Sequence, residues 1–285
     1  MCYNTYMVAK ALNRTEDQIL ECIRAYMDGK TLQEAGGLHN IVPSTLQRII
    51  HRRGLHTRNS SESHRKYAVN LSVFDELNEH SEYWAGFLFA DGCIQSNKKR
   101  NEIKLAISSK DHNHMLKYQK FLQTDAPVRI VNNGSGFPGY TYSGQLSVLS
   151  THSGELVQKL INLGLTGPRT PLGGLGLSRH FWRGYVDGDG YLGKPSGEKA
   201  RIGLCGTLPA IEAFMRFVDA SGVKSQVQPY QASSIWQVYY SSRVAARVAR
   251  ILYADSSVHL DRKYLIAEHM MRYESGEVAW AQYDE

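Results

Sequence analysis

Two acidic residues in matching segments are the side chains of this chain best placed to do chemistry. Residues 180–192 read HFWRGYVDGDGYL, a helix-like aromatic run that ends in acids separated by glycines, and residues 83–94 read YWAGFLFADGCI. The two segments form an internal repeat, because four pairs of residues match at one constant spacing: Trp84 with Trp182, Gly86 with Gly184, Asp91 with Asp189 and Gly92 with Gly190. The duplicated register predicts that Asp91 and Asp189 act as a pair.

The helices that must position this pair carry small residues one turn apart. Helical patterns are predicted for residues 82–91 and 179–189. The small residues of each helix are four positions apart and so lie on one face: Gly86 and Ala90 in the first, Gly184 and Gly188 in the second. Small side chains let two helix backbones approach closely. We therefore expect the helices to pack on each other, with their ends side by side.

Such packing predicts a metal site. It places two carboxylates close together, each at the negative end of a helix dipole. Gly92 and Gly190 would end the helices and leave the acids at an exposed lip. A divalent cation relieves the repulsion, and Mg²⁺ (or Mn²⁺) is the oxygen-seeking candidate. The alternative is a pair of ordinary surface or capping acids, but two copies in register favour the metal.

Each acidic segment is followed by the same predicted order of elements, which indicates an α+β fold. In the first copy, strands are expected at residues 93–97, 102–109, 128–132 and 140–149, and helices at 110–123 and 155–163. In the second, a short strand follows the acidic helix. Further strands are then expected at 201–205, 226–230 and 235–240, and helices at 209–220, 243–253 and 262–273. The predicted repeats occupy residues 82–170 and 171–285.

The polar faces of these strands favour nucleic acid. Basic and amide side chains recur there at a spacing of two: Gln95, Asn97, Lys104, Arg129, Asn133, Arg201, Gln226, Gln228 and Gln237. Such residues suit a sheet laid along a DNA groove. The other interpretation is the wet side of a half-exposed antiparallel sheet.

Residues 1–58 predict a small all-α domain. Capping boxes at residues 15–18 and 31–34 begin two helices, and a third runs from Pro43 to Arg53, with Leu46, Ile49 and Ile50 inward. Three short helices with a tight middle turn resemble a helix-turn-helix domain, whose last helix enters the major groove. The outward residues suit that role: Ser44, Thr45, Gln47, Arg48, His51 and Arg52, with Arg53 and Arg58 within reach of phosphates. The alternative is a helical domain with a solvated basic face.

Composition narrows the class of protein. The chain has 285 residues, 42% of them hydrophobic, a formal charge of +6 and four scattered cysteines without a CxxC pair. These values fit an intracellular, cytoplasmic globular protein with neither a disulfide framework nor a zinc site. No secretory signal or membrane-length apolar run is evident. The polar residues 59–81 predict a linker.

The motifs WAGFLFADG and WRGYVDGDG, each followed by strand–strand–helix–strand–strand–helix, resemble those of single-chain LAGLIDADG homing endonucleases over about residues 70–275. Some members of that family also carry a helix-turn-helix domain. The resemblance implies two pseudo-symmetric αββαββ(α) repeats in a monomer. Two antiparallel sheets would form a saddle across a long, asymmetric DNA duplex, and the motif helices would form the central interface.

The resemblance also implies the catalytic residues. Asp91 and Asp189, with the adjacent Gly92 and Gly190, would hold the divalent metal. The basic catalytic residue of the second repeat would be Lys263 in LDRKYL. The first repeat offers Arg169 in GPRTP, where lysine is common, and arginine is a poor proton carrier.

A site-specific, metal-dependent double-strand DNA endonuclease of homing type is therefore the expected function. Two other functions stay open on the same fold. One is a non-catalytic DNA-binding transcription regulator, against which the retention of both acids argues. The other is an RNA-splicing maturase, whose partner would be intron RNA.

Overall fold

The computed structural model describes residues 14–58, 66–97, 100–132, 144–165, 169–193 and 199–280. The chain forms two compact units, divided between Lys66 and Tyr67. In these ranges no helix is both long and apolar enough to cross a membrane.

The described part of the N-terminal unit contains three short helices: α1 (Glu16–Met27), α2 (Leu32–Gly37) and α3 (Pro43–Arg52). Both predicted capping boxes are confirmed: Thr15 and Gln18 begin α1, and Thr31 and Glu34 begin α2. The inward positions predicted on α3 are confirmed too, since its three apolar side chains are buried in one small core: Leu46, Ile49 and Ile50.

The larger unit consists of two repeats with the same order of elements. The first contains α4 (Glu79–Asp91), β1 (Gly92–Ser96), β2 (Asn101–Ser108), α5 (His112–Phe121), β3 (Arg129–Asn132), β4 (Gln145–His152) and α6 (Gly154–Asn162). The second contains α7 (Arg179–Asp189), β5 (Gly190–Gly193), β6 (Arg201–Gly206), α8 (Leu208–Ala220), β7 (Tyr230–Ala232), β8 (Ile235–Ser241), α9 (Ser242–Tyr253) and α10 (Asp261–Ser275).

Sheet topology confirms the predicted α+β repeat. The first sheet has the strand order β1-β2-β4-β3 and the second β5-β6-β8-β7, and every pairing is antiparallel. The registers match as well, because Gly92 pairs with Leu105 in one sheet and Gly190 with Leu204 in the other. The two halves therefore share topology and the position at which each sheet leaves its acidic helix.

Several helices and strands begin at other residues than predicted, for local chemical reasons. The first acidic helix begins at Glu79 rather than at residue 82, because Asn78 caps it reciprocally with Ser81. The strand predicted at 226–230 is wrong: β7 begins at Tyr230, and Pro229 before it has no N–H to donate to a strand ladder. The helix predicted at 110–123 begins at His112, after a short 3₁₀ turn. Residues 133–143, including Asn133 and the start of the predicted strand at 140–149, lie outside the described residues.

Residues 67–78 pack against the first repeat. The Phe74 ring meets that of Phe121 edge-on at 5.5 Å between centroids. The Lys159 ammonium donates to the Leu71 carbonyl at 2.7 Å, and the Asn70 amide donates to the Leu122 carbonyl at 2.9 Å. The part of the predicted linker at 59–65 lies outside the described residues.

His114 is enclosed by aromatic side chains beside the first acidic helix. Its Nε2 atom lies 2.9 Å from the Tyr83 hydroxyl, and the rings of Trp84 and Phe87 lie 4.8 Å away between centroids. Because Tyr83 donates its proton to Asp187, His114 must donate Nε2–H to the Tyr83 oxygen. Burial lowers the pKa of His114 to about 3.

We expect His114 to make the protein acid-sensitive, because unfolding releases it to bind a proton. Its folded pKa is depressed from 6.5 to about 3, so its contribution to stability is complete above the unfolded pKa and is lost as the pH falls towards the folded one. Between about pH 7 and pH 5, the free energy of unfolding should fall by about 2 kcal/mol from this group. In urea unfolding, His114→Gln should remove that part of the decline, and an undiminished decline in the variant would contradict the assignment.

Candidate metal centre and nucleic-acid interface

The two acidic helices, α4 and α7, touch through their glycines. A Cβ atom added to Gly86 would lie 1.9 Å from the Phe181 carbonyl oxygen, and one added to Gly184 would lie 2.0 Å from that of Tyr83. Neither position has room for a side chain. A Cβ on Gly188 would lie 2.3 Å from the Cβ of Ala90. All four small residues chosen from the sequence therefore lie in this contact.

Gly92 and Gly190 turn the chain directly from helix into strand. Both have extended backbone, with φ of −74° and −89°, and each is the first residue of its strand. A Cβ on Gly92 would lie 2.4 Å from the Leu88 carbonyl oxygen, and one on Gly190 would lie 2.4 Å from that of Val186. The glycines are thus required by close backbone approach, and they fix the acids as the last residues of their helices.

Asp91 lies across the helix contact from α7 and is affected by the charge of Asp189. Asp91 reaches the surface, and its Oδ2 atom lies 3.2 Å from where a Cβ of Gly188 on the opposite helix would be. The surrounding protein displaces water and, with repulsion from Asp189, raises the pKa of Asp91 to about 6. Burial also raises the pKa of the half-buried Asp189. Two carboxylates whose pKa values are both raised where they lie are a suitable donor set for a divalent cation.

The remaining ligands of such a cation would have to come from other oxygen donors. Among the described residues, no cluster of three or more His, Cys, Asp or Glu side chains could hold a metal ion. Mg²⁺ is commonly held by one or two carboxylates and completes its octahedron with water and substrate phosphate oxygens. The pair therefore fits Mg²⁺ or Mn²⁺ better than zinc, which prefers nitrogen and sulfur ligands.

Lys263 is buried against the end of α7. Its Nζ atom donates to the carbonyl oxygens of Val186 at 2.7 Å, Asp187 at 2.8 Å and Gly190 at 2.6 Å. A cation at a helix C-terminus stabilises the helix dipole. Burial lowers the pKa of Lys263 to about 8.

Arg169 makes the matching contacts at the end of α4. Its guanidinium donates to the carbonyl oxygens of Phe89 and Ala90, both at 2.8 Å, and of Gly92 at 2.9 Å. Phe89 and Gly92 occupy the positions that Asp187 and Gly190 occupy in the second motif. The structure therefore places Arg169 and Lys263 at equivalent points of the two repeats.

The pKa of each acid is lowered by the cations of both repeats. Of the two cations, Lys263 has the larger effect on the pKa of Asp91 and Arg169 has the larger effect on that of Asp189, and both lower it. Each acid is thus influenced most by the cation that holds the end of the opposite helix. Both cations lower the pKa of both acids, so the electrostatics of the centre combine charges from the two repeats.

The polar face of the first sheet is rich in charge. Gln95, Lys104 and Arg129 line one groove, together with Arg100 and His152. Lys104 lies between Cys93 and Ser150 on the neighbouring strands. Glu102 is buried in the same groove and pairs with Arg100 at 2.8 Å. Asn97 is exposed just beyond β1.

The second sheet presents tyrosines instead, which the sequence reasoning missed. Tyr239 lies between Tyr191 and Tyr230, at 6.2 and 6.3 Å between ring centroids, and the Arg201 guanidinium lies 5.4 Å from its ring centroid. Gln237 is paired opposite Tyr230. Gln226 and Gln228 are exposed but precede β7. The signal was available, since Tyr191 and Tyr239 both fall on predicted strands.

In the N-terminal unit, the candidate DNA-binding side chains on α3 differ in exposure and in hydrogen bonding. Ser44, Gln47, Arg48 and Arg52 are exposed, and Thr45 is half-buried and accepts a hydrogen bond from Arg48 at 3.3 Å. The guanidinium groups of Arg53 and Arg58, which were expected to contact DNA phosphates, are bound to partners within the protein. Arg53 pairs with Glu16 at 2.6 Å. Arg58 donates to the Tyr26, Gly29 and Lys30 carbonyls and lies over the Tyr26 ring.

The chain is similar in fold to LAGLIDADG homing endonucleases of known structure. The LAGLIDADG meganuclease I-AabMI, solved bound to uncleaved DNA, is 11% identical over 70% of this chain and 91% of its own, with a TM-score of 0.46. The LAGLIDADG homing endonuclease I-GzeII, solved in complex with a DNA target, is 10% identical over 71% of this chain and 92% of its own, with a TM-score of 0.48. No known family's sequence model matches the chain, and no curated protein matches it.

Proposed function

We propose that this protein is a site-specific DNA endonuclease of homing type that cuts both strands of a long, asymmetric duplex. One arrangement carries the proposal. Asp91 and Asp189 are the last residues of α4 and α7, and a glycine of each helix packs against a backbone carbonyl oxygen of the other. Two repeats in one chain offer two different half-sites, which supports a monomer acting on an asymmetric site.

Asp91 and Asp189 would hold Mg²⁺ or Mn²⁺ between them. The carbonyls of Gly92 and Gly190 already accept hydrogen bonds from Arg169 and Lys263, so these glycines contribute mainly by fixing the turn. When bound, the cation supplies Lewis-acid activation of water and phosphodiester. Lys263 and Arg169 offset the negative charge of the acids and hold both helix ends in place.

The two sheets would bind the duplex through different chemistry. Lys104 and Arg129 on the first sheet are suited to phosphate oxygens or guanine edges. Tyr191 and Tyr230 on the second offer aromatic surface with a hydroxyl at its tip. This difference between the faces supports an asymmetric target.

Incubation of the full-length protein with a library of duplex sites, with Mg²⁺ or with EDTA, tests the proposal. We expect selection of one family of long sequences, cut on both strands only when Mg²⁺ is present. Tight, sequence-selective binding without cleavage would contradict the nuclease and favour the transcription regulator.

We further propose that α3 of the N-terminal unit binds DNA as the recognition helix of a helix-turn-helix domain. Arg48→Ala should weaken binding to the selected site by about 1–3 kcal/mol, with the loss confined to sequences that contain its base contact. Titration of labelled duplexes measures this. The matched control is Arg24→Ala on α1, an exposed arginine outside the proposed recognition helix, which should change affinity little. Equal losses for both variants would contradict the assignment.

A further inference from the structure

Asp187 is a buried carboxylate with three donors. Its Oδ1 atom accepts a hydrogen bond from the Tyr253 hydroxyl at 2.6 Å, and its Oδ2 atom accepts from the Tyr83 hydroxyl at 2.8 Å and the Leu260 amide at 2.7 Å. Only 1% of the residue is exposed. A carboxylate is costly to bury and is retained where hydrogen bonds satisfy it. These donors come from three separate parts of the chain, so Asp187 ties them together.

One of these parts carries Lys263. Leu260 immediately precedes α10, and its own side chain makes no cap. The Asp187 carboxylate supplies an acceptor and a negative charge at this helix start, where amides lack partners within the helix. The main-chain carbonyl of Asp187 also accepts from the Lys263 ammonium, at 2.8 Å. One residue thus holds both the start of the helix and the amine that the helix presents.

Arg183, one turn before Asp187 on α7, holds the segment that precedes α10. Arg183 is fully buried and donates to the carbonyls of Leu252 at 3.0 Å and Val258 at 2.9 Å. It also pairs with Glu79 of the first acidic helix at 2.7 Å. Residues 252–260 are therefore bound to α7 at both ends, and Asp187 provides the attachment nearest Lys263.

The described residues of the first repeat show no buried carboxylate in the position equivalent to that of Asp187. In the alignment of the two motifs, Phe89 replaces Asp187 and Phe181 replaces Tyr83. The hydrogen-bonded pair Tyr83–Asp187 of one side corresponds to an edge-to-face ring pair, Phe89–Phe181, at 5.0 Å on the other. Arg169 instead stands in a left-handed backbone conformation, with φ of 50°. Arg169 and Lys263 therefore make equivalent hydrogen bonds, but the chain segments that carry them are held in place by different contacts.

We propose that Asp187 is a positioning residue that sets Lys263 at one of the two cleavage positions, so that the two DNA strands are cut under separate control. The inference rests on the proposed function. It assigns to Asp187 an effect on one strand only, because the position equivalent to Asp187 beside Arg169 is occupied by Phe89, which has no carboxylate.

Strand-resolved cleavage of a doubly end-labelled selected duplex tests this with Asp187→Asn. One strand should be cut about 10–100-fold more slowly, the usual effect of losing a supporting hydrogen-bond partner, so that nicked duplex accumulates. The control is Ser147→Ala, which removes a half-buried hydrogen bond between β4 and His112 of α5 and should not favour cleavage of either DNA strand. Equal slowing of both strands by Asp187→Asn would overturn the proposal.

A double-mutant cycle with Lys263→Met tests whether Asp187 acts through Lys263. In the Lys263→Met background, Asp187→Asn should slow the affected strand by less than about twofold, because the group it positions is gone. Fully additive slowing would overturn the proposed route.

Hydrogen exchange separates this inference from the nuclease itself. Amides of residues 254–266 should exchange faster in Asp187→Asn than in Ser147→Ala, whether or not the protein cuts DNA. If the wild-type protein cuts nothing, the proposed function fails while this measurement still tests the support of Lys263. Unchanged exchange across 254–266 would overturn the inference on its own.

Discussion

Asp189→Asn is expected to abolish double-strand cleavage while leaving DNA binding intact. The amide has nearly the shape of the carboxylate but lacks the charge that a divalent cation requires. Loss of a group that merely supports a metal ligand costs about 10–100-fold, so loss of a ligand should cost at least about a hundredfold. Binding should persist, because the variant removes a negative charge beside the phosphates rather than a contact to them.

The measurement is strand-resolved cleavage of a selected duplex, with affinity determined in the same buffer. Asp219→Asn serves as the matched control, since that exposed acid pairs with Lys224 on the surface and its loss should leave cleavage unchanged. If Asp189→Asn still cuts both strands at the wild-type rate, the assignment of this acid to the metal is wrong.

Gly184→Ala should be strongly destabilising, as should Gly86→Ala on the opposite helix. The new Cβ would lie 2.0 Å from the Tyr83 carbonyl oxygen and 2.8 Å from the Phe87 amide nitrogen, both of them rigid backbone atoms. Overpacking of a well-filled core costs about 1–3 kcal/mol and more where backbone must move. We therefore expect a loss of at least about 3 kcal/mol in the free energy of unfolding, or failure to fold.

Urea unfolding of the full chain measures this effect, with Gly174→Ala as the control. A Cβ on Gly174 meets nothing within 4 Å, so that variant should remain within about 0.5 kcal/mol of wild type. Where Gly184→Ala remains folded, the separated helices should also cost cleavage activity. Wild-type stability of the variant would show that the helices are not packed glycine to carbonyl.

The repeat and its central contact were accessible from the sequence because they depend on local pattern and exact spacing. Gly86, Gly184, Asp91 and Asp189 recur at one offset, and small residues one turn apart have a direct physical meaning. Strand alternation likewise predicted most of the strands, while the arrangement of the two sheets was expected from the family resemblance. Pro229 marks where the pattern misleads, because it continues the polar–apolar alternation and yet cannot join the ladder.

The contacts that complete the centre were less accessible, since they join residues far apart in the chain. Nothing near Lys263 in the sequence indicates that its amine caps α7. The contacts of Asp187 were hidden from the sequence for the same reason, because they involve Tyr83, Tyr253 and Leu260, none of which is close to it in sequence. Arg58 was expected to contact phosphates, but its guanidinium donates to carbonyl oxygens at the end of α1.

Mn²⁺ binding to the complex with selected DNA tests the central claim most directly, because it detects the metal without relying on cleavage. Electron paramagnetic resonance should show Mn²⁺ bound by the wild-type complex and a large loss of that signal in the Asp91→Asn/Asp189→Asn double variant, with DNA affinity retained. Equal amounts of bound Mn²⁺ in the two complexes would contradict the assignment of a metal centre to the paired acids at the ends of α4 and α7.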